Sequence, residues 1–354
     1  MSKILAINPG STSTKIALYE DEKEIFVQTL DHSVEEIQKY NKVQDQFEMR
    51  KNVVLSFLQE KGYDVKTLSA VVGRGGMLPS VKSGAYLVNN KMVDRLKNNP
   101  IFEHASNLGG LIAFEIATSI GVNAYIYDSV RVDEMIDVAR ISGMQDIPRT
   151  STSHVLNSRA MAMKVAKKYG KKYADMNFVV AHLGGGISIN VHDKGQMVDI
   201  IADDEGPFSP ERAGKVPCKA LIDLCYSGKY DKATMQKKLR GNGGLKDYLN
   251  TVDVREVVQM IENGDEHAKL ILEAMAYQVA KGIGDLATVV EGKVDAIIIT
   301  GGIAYSEMVV SWIKKRVEFI APVEIMPGEN EMESLALGTL RVLRGEEKAR
   351  EYAE

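Results

Sequence analysis

A chain of 354 residues exceeds one ordinary core and suits two domains of roughly 150 to 200 residues each. With 45% hydrophobic and 26% charged residues it has the composition of a globular protein, which excludes fibrous and disordered classes. A net charge of −4 and a pI near 6.0 leave no electrostatic footprint for nucleic acid or an anionic membrane, so small molecules are the expected partners.

No apolar run approaches the ~18 residues needed to span a bilayer. The first residues, Met1 to Ile7, run straight into a strand without a basic leader or cleavage site, so the expected location is the cytoplasm. The two cysteines, Cys218 and Cys225, lack metal-ligand spacing and are expected to be buried thiols in a reducing compartment.

In chain order, apolar runs rich in β-branched residues alternate with stretches of helical period, which predicts an α/β architecture. Ile4 to Ile7 reads as a strand, Asn8 to Ser13 as a turn, and Lys15 to Tyr19 and Ile25 to Leu30 as two more strands. Val53 to Leu58 belongs to a helix, Ala70 to Gly73 to a strand, Ser106 to Ser119 to a helix, and Ala124 to Tyr127 to a strand ending at Asp128. A second cycle follows: a helix over Ser153 to Lys168, then strands over Phe178 to Ala181, Ile187 to Val191 and Gln196 to Ile201. Several helices come next, among them a long one from about His267 to Val290. Val294 to Thr300 is a buried strand capped by Gly301-Gly302, and Glu331 to Leu343 is the last helix.

Residues 4–19 (ILAINPGSTSTKIALY) and 179–193 (VVAHLGGGISINVHD) share one plan: an apolar strand, a Gly-rich turn with small hydroxyl residues, and a returning strand. The sequence therefore contains a weak internal repeat, with a boundary near residues 128–130. In the first copy, Asn8-Pro-Gly-Ser-Thr-Ser-Thr-Lys15 offers backbone N–H groups, consecutive hydroxyls and a lysine, a set suited to polyanion oxygens. It is not a P-loop, because GxxxxGK[ST] is absent and a strand follows rather than a helix. In the second copy, Gly184-Gly185-Gly186 lets backbone approach a bulky ligand where any Cβ would clash. A tight hairpin with no ligand is the alternative for each loop taken singly; the pairing of two such loops favours a ligand. A GxGxxA pattern at Gly282 to Ala287 lies inside a helical stretch with no preceding strand, which argues against a dinucleotide site.

Two glycine hairpins in repeated α/β units, with a third Gly-Gly after a late strand, resemble the sugar kinase, Hsp70 and actin superfamily. The resemblance narrows to its acetate and butyrate kinase branch, the acetokinase family. The matching stretches are NPGSTSTK (8–15), GRGG (73–76), HASNLGG (104–110), YDSV (127–130), TSTSH (150–154), AHLGGGIS (181–188), DDEGPFSPERAG (203–214) and TGGIA (300–304), in order over essentially the whole chain. EGPFSPERAG and HASNLGG are similar to the butyrate-specific members, whereas acetate-specific members have Asn where Gly185 stands.

This resemblance implies two duplicated actin-like, ribonuclease H-like domains with an interdomain ATP cleft. The expected N-terminal domain spans 1–128 plus a returning helix in 332–354, and the expected nucleotide-binding domain spans 129–331. It implies transfer of phosphate from Mg²⁺-ATP to a short-chain carboxylate, with butyrate favoured, ADP as the other product, and a homodimer or higher homo-oligomer. A branched-chain, acetate or propionate kinase is the near alternative. A chaperone-like ATPase without an acceptor is the distant one, disfavoured by the acceptor-clamping set below.

A carboxylic acid arrives ionised at neutral pH, having a pKa near ~4.3, so this reaction has no proton to remove. Its difficulty is repulsion between two anions, which calls for fixed cations and hydrogen-bond donors. By resemblance, Arg74 and Arg212 clamp acceptor and in-flight phosphoryl group, where a planar fork serves better than lysine. His154 is expected to donate to the transferring oxygens, and His182 to belong to the nucleotide loop. Asn8, Ser11, Ser13 and Lys15 would form the first phosphate loop and Gly184, Gly185 and Gly186 the second. Gly301, Gly302 and Ile303 would line the adenosine site. Asp128, at a strand end where α/β crevices lie, and Glu331 are expected to hold hydrated Mg²⁺. For Glu331, an acidic residue that merely favours its helix dipole is the competing reading. His104 is expected to shape its loop.

Overall fold

The computed structural model describes residues 1–202 and 204–353. Asp203, the first residue of the 203–214 stretch, and Glu354, the last of the expected N-terminal domain, lie outside the described residues. In chain order the strands are β1 (Lys3–Pro9), β2 (Ser13–Glu20), β3 (Lys23–Asp31), β4 (Ala70–Arg74), β5 (Ala85–Leu87), β6 (Asn123–Tyr127), β7 (Asn177–Leu183), β8 (Ile187–Asp193), β9 (Gln196–Ile201), β10 (Ala296–Gly301), β11 (Val323–Pro327) and β12 (Arg350–Glu351). The helices are α1 (Val34–Ile37), α2 (Phe47–Glu60), α3 (Asn90–Asn98), α4 (Asn107–Ile120), α5 (Val155–Lys168), α6 (Cys218–Cys225), α7 (Lys232–Leu239), α8 (Leu245–Leu249), α9 (Val254–Glu262), α10 (Glu266–Ala287), α11 (Glu307–Val317) and α12 (Glu331–Leu343).

The chain divides into two compact units, one formed by Met1–Asp133 with Asn330–Glu354 and the other by Glu134–Glu329. Each is built on the same sheet. In the first unit the strand order is β12-β5-β6-β4-β1-β2-β3; in the second it is β11-β10-β7-β8-β9. The five strands β6-β4-β1-β2-β3 match β11-β10-β7-β8-β9 in order and direction: three parallel strands, then two antiparallel returns. The sequence repeat is therefore a repeat of topology, and the fold is the duplicated α/β arrangement expected.

Side-chain alternation sets the layers. On one face of the second sheet, Val179, Ala181, Ile189 and Val191 pack with Leu272, Met275, Val279 and Ile283 of α10. Phe178, Val180 and Ile298 point to the other face and meet Met161, Ala162 and Val165 of α5. Each such fully buried large side chain contributes about 1.5–3 kcal/mol. Gly282 lies inside α10, where a Cβ would crowd Ile189, so the GxGxxA pattern serves helix–sheet packing.

In the first unit, α4 packs directly on the β4 backbone. A Cβ on Gly73 would fall on the Gly109 carbonyl, and one on Gly109 would lie 2.6 Å from the Arg74 carbonyl. On the opposite face of the sheet α12 packs close, its Gly338 leaving no room for a Cβ against the Tyr127 ring.

Two expectations are corrected. Cys218 and Cys225 are exposed, because α6 buries none of its residues despite its apolar content. The segment between β4 and α4 also holds β5 and α3, where the sequence showed no element. Among the described residues no helix is long and apolar enough to cross a membrane.

Candidate active site

In the first unit, β1, β4 and β6 run parallel and end together, and their carboxyl ends carry the polar side chains. Ile7 pairs with Gly73 and Arg74 with Tyr127, so Asn8, Arg74 and Asp128 follow in neighbouring positions. Asn8 and Lys15 are cross-strand partners in the β1–β2 hairpin, which puts both on one face. Ser11, Thr12 and Lys15 are exposed, Ser13 is half-buried, and Thr14 points to the interior. This is the first glycine loop anticipated from the sequence.

Glu331, the first residue of α12, joins two of these groups. Asn8 Nδ2 donates to Glu331 Oε2 at 2.6 Å, and Arg74 Nη2 lies 3.3 Å from Glu331 Oε1. Arg74 is 7% exposed, and among the described residues its Nη1 has no hydrogen-bond partner. A buried donor left in this way is costly unless an acceptor reaches it during function. Glu331 thus engages one arm of the fork, Nη2.

Asp128 is 2% exposed and adopts φ 39°, a left-handed conformation uncommon outside glycine. Its Oδ1 accepts from the Gly84 amide at 2.7 Å, and its own amide donates to the Gly84 carbonyl at 3.2 Å. These reciprocal bonds hold the strained residue in place. Asn107 supports the neighbouring GRGG turn: its Oδ1 accepts from the Met77 amide at 2.7 Å, and a Cβ on Gly76 would strike it. His104 shapes its loop as expected, with Nδ1 2.8 Å from Ser106 Oγ.

In the second unit the corresponding strand ends carry the other set. Leu183 pairs with Ile187, so Gly184, Gly185 and Gly186 form the whole β7–β8 loop. The Gly185 carbonyl accepts from Ser209 Oγ at 2.7 Å and from the Glu211 amide at 3.3 Å. The Arg212 guanidinium lies against Gly186, so that a Cβ there would sit 2.9 Å from Nη2 and nearer still to Nη1 and Cζ. The EGPFSPERAG segment and the triple-glycine loop are thus one construction.

His154 caps the start of α5 and stacks on His182, with ring centroids 4.0 Å apart and planes at 16°. His154 Nδ1 lies 2.9 Å from Ser188 Oγ. Asn157 Nδ2 donates to His182 Nδ1 at 2.9 Å and to Thr300 Oγ1 at 3.0 Å. His182 Nε2 faces Glu329 Oε1 at 3.5 Å, beside Gly184.

A cavity of about 990 Å³ opens beside this loop, lined by Gly184, Gly185, Gly302, Ile303, Val258 and Met308 among others. That size and apolar lining suit a nucleoside-sized ligand. A Cβ on Gly302 would meet nothing within 4 Å, so this residue borders open space. Gly301 has a different constraint: at φ 92° its Cβ would collide with the Leu183 backbone.

The acetokinase family profile matches residues 146–336. Butyrate kinase 1 of Clostridium acetobutylicum is 55% identical to this chain over 354 residues, 99% of this chain and 100% of that protein. The chain belongs to the acetokinase family. Butyrate kinase 2 of the same organism is 50% identical over 99% of both chains. The crystal structure of Porphyromonas gingivalis acetate kinase superimposes with a TM-score of 0.80 at 19% identity, covering 97% of this chain and 100% of that one, and supports the fold.

Within this acetokinase, sequence reasoning missed Asn157, Glu329 and Arg50. Asn157 reads as an ordinary helix residue, and only the fold brings it to His182 and Thr300. The Glu329 side chain is 53% exposed, and only the fold sets its carboxylate 3.5 Å from His182 Nε2. Arg50 occupies the buried stripe of α2 with Val54 and Leu58, a position where helical period calls for an apolar side chain. That mismatch was the available signal.

Proposed function

We propose that this chain transfers the γ-phosphoryl group of ATP directly to butyrate, giving butyryl phosphate and ADP, and catalyses the reverse reaction. The observation that carries this reading is the 55% identity to a butyrate kinase over the full chain. The donor set fits the chemistry. The acceptor is already ionised, so no base is needed, and the buried Asp128 serves as a positioning and metal-associated carboxylate. The Arg74 and Arg212 forks offset the repulsion between carboxylate and phosphate, which peaks as the phosphoryl group passes between them. His154 donates to the same oxygens. Ser11, Ser13 and Lys15 with Asn8, and Gly184 to Gly186 with His182, hold the phosphates, while Gly302 and Ile303 line the adenosine site.

Magnesium would neutralise charge on the β- and γ-phosphates. Among the described residues no cluster of three or more acidic, His or Cys side chains could cage a metal ion. Asp128 and Glu331 are hard oxygen donors at one set of strand ends, which fits an Mg²⁺ that keeps its waters and rides on substrate phosphates. Assembly into a homodimer or higher oligomer belongs to the same reading. The exposed apolar side chains of α6 and its flank, Ile222 and Tyr226, favour it.

The test is acyl-phosphate formation from Mg²⁺-ATP, trapped with hydroxylamine, across straight acids of two to six carbons and isobutyrate. The hydroxamate yield should peak at butyrate. No hydroxamate from any acid would overturn the kinase reading, and a peak at acetate or isobutyrate would overturn the choice of acceptor.

A further inference from the structure

Arg50 is fully buried, and among the described residues no carboxylate pairs with it. All of its hydrogen bonds go to neutral acceptors. Nη1 donates to the carbonyls of Gly10 and Ser13, both at 2.8 Å, and reaches Thr14 Oγ1 at 3.2 Å. Nη2 donates to the Ser11 carbonyl at 3.0 Å and to Gln46 Oε1 at 2.8 Å, and Nε donates to Gln46 at 3.0 Å. The remaining loop carbonyl, Thr12, accepts from the His32 amide at 2.9 Å. Burial, and then the Arg50 charge, hold the His32 imidazole below its ordinary pKa, which favours the neutral ring beside the guanidinium.

A buried cation satisfied only by dipoles is uncommon, because desolvation disfavours it without an opposite charge. The geometry explains why it stands here. It draws three of the loop's carbonyls to one side, while the amides of Ser11 and Thr12 take no partner among the described residues and both residues are exposed. Behind a loop whose Ser11 and Thr12 are exposed while Thr14 turns its hydroxyl in to the guanidinium, Arg50 supplies an uncompensated positive field through a medium of low dielectric.

We propose that Arg50 is the positioning residue of the first phosphate loop. It fixes the loop's carbonyls inward, turns its donors outward, and receives its missing counter-charge only when a phosphate occupies the loop. The inference deepens the function proposed above, since it assumes that this loop takes nucleotide phosphates. It makes a distinction that mere support of the fold would not. Affinity should fall in step with phosphate charge, while contacts to the nucleoside alone stay unchanged.

The experiment titrates the full-length protein calorimetrically with ADP, tripolyphosphate and adenosine, comparing wild type with Arg50→Met and Arg50→Lys. Methionine fills the apolar stripe of α2 without a charge; lysine keeps the charge and loses the fork. Arg50→Met should weaken ADP and tripolyphosphate by about tenfold to a hundredfold, the range for hydrogen bonds to charged groups, and leave adenosine within about twofold. Arg50→Lys should fall between. If Arg50→Met does not fold, the lysine variant decides alone, with ADP weakened and adenosine unchanged as the expected result. Wild-type ADP affinity in a folded variant, or parallel loss of ADP and adenosine, would overturn the proposal. A wild type that binds ADP but forms no acyl phosphate would refute the kinase reading and leave this test intact.

Discussion

Replacing Gly186 by alanine isolates what the second loop does for Arg212. Gly186 does not occupy the left-handed region, so alanine brings little backbone strain there. Its Cβ would sit 2.9 Å from Arg212 Nη2 and closer to Nη1 and Cζ, whereas ordinary contact begins near 3.4 Å. The obstacle is the end of a flexible side chain, so the guanidinium retreats by about 1 Å and the loop survives. Displacement of a catalytic group by that distance costs about 10²-fold in rate, or roughly 2.7 kcal/mol of transition-state stabilisation. The hydroxamate assay with butyrate should therefore show kcat reduced by about 10²-fold, with the melting temperature within a few degrees of wild type. In an Arg212→Ala background the same substitution should add almost nothing, because both changes remove one interaction. Full additivity in that double variant, or wild-type kcat in folded Gly186→Ala, would show that Arg212 does not act from this position.

Arg74→Lys should lower kcat by about 10²-fold despite conserving charge, because the fork pairs with Glu331 through one arm and offers the other to the ligand; wild-type kcat would refute the bidentate role. Two buried methylenes at about 0.8 kcal/mol each predict kcat/KM for butyrate at least tenfold above acetate, measured side by side; equality would refute butyrate as the acceptor. His192 is buried between Tyr173 and Asn190, and burial, then the Arg159 charge, lower its pKa to about 3. The unfolded chain takes up this proton below about 6.5, so the contribution of His192 falls as pH drops from there towards 3. It amounts to about 2 kcal/mol between pH 7 and pH 5. Urea unfolding should show this loss in wild type and lack it in His192→Gln; the same pH dependence in both would refute it.

Where the sequence carried a strong local signal, the structure follows it. Gln196–Ile201 and Glu331–Leu343 begin and end where the apolar period said, since each is one element with its own punctuation. The glycine loops were legible because few alternatives explain hydroxyls and glycines between two apolar strands. The segment before α4 was not legible. Pro79, Ser80 and Gly84 break its pattern, and three-residue β5 exists through pairing with β6 and β12, partners remote in sequence. The cysteines misled because Cys is often buried, yet among the described residues nothing packs over α6 closely enough to bury any of its side chains. Arg212 could be nominated by resemblance, but its seat against Gly186 depends on a contact across 26 positions. Arg50 carried one sequence hint, its place in the apolar stripe of α2, but the acceptors that explain it lie in the loop after β1, some forty positions away.

The duplicated sheets therefore share topology without sharing electrostatics. Both hairpins place a glycine turn at the end of a parallel strand, yet they are braced in contrasting ways. In the first, a buried guanidinium stands behind the loop and binds its carbonyls, so the positive charge is fixed and remote from ligand. In the second, neutral donors from Ser209 and Glu211 brace the Gly185 carbonyl, and the guanidinium of Arg212 lies directly on the glycine surface. A charge held behind a loop can hold a phosphate that stays in place, because its distance changes little along the reaction. A charge on the loop surface can follow a group that moves. On this argument the first loop acts mainly through binding and the second through the transition state. Arg50 substitutions should then raise KM for ATP more than they lower kcat, and Gly186→Ala should do the reverse. Finding both effects in KM alone would mean that the two loops are equivalent phosphate clamps and that the asymmetry in their bracing has no chemical consequence.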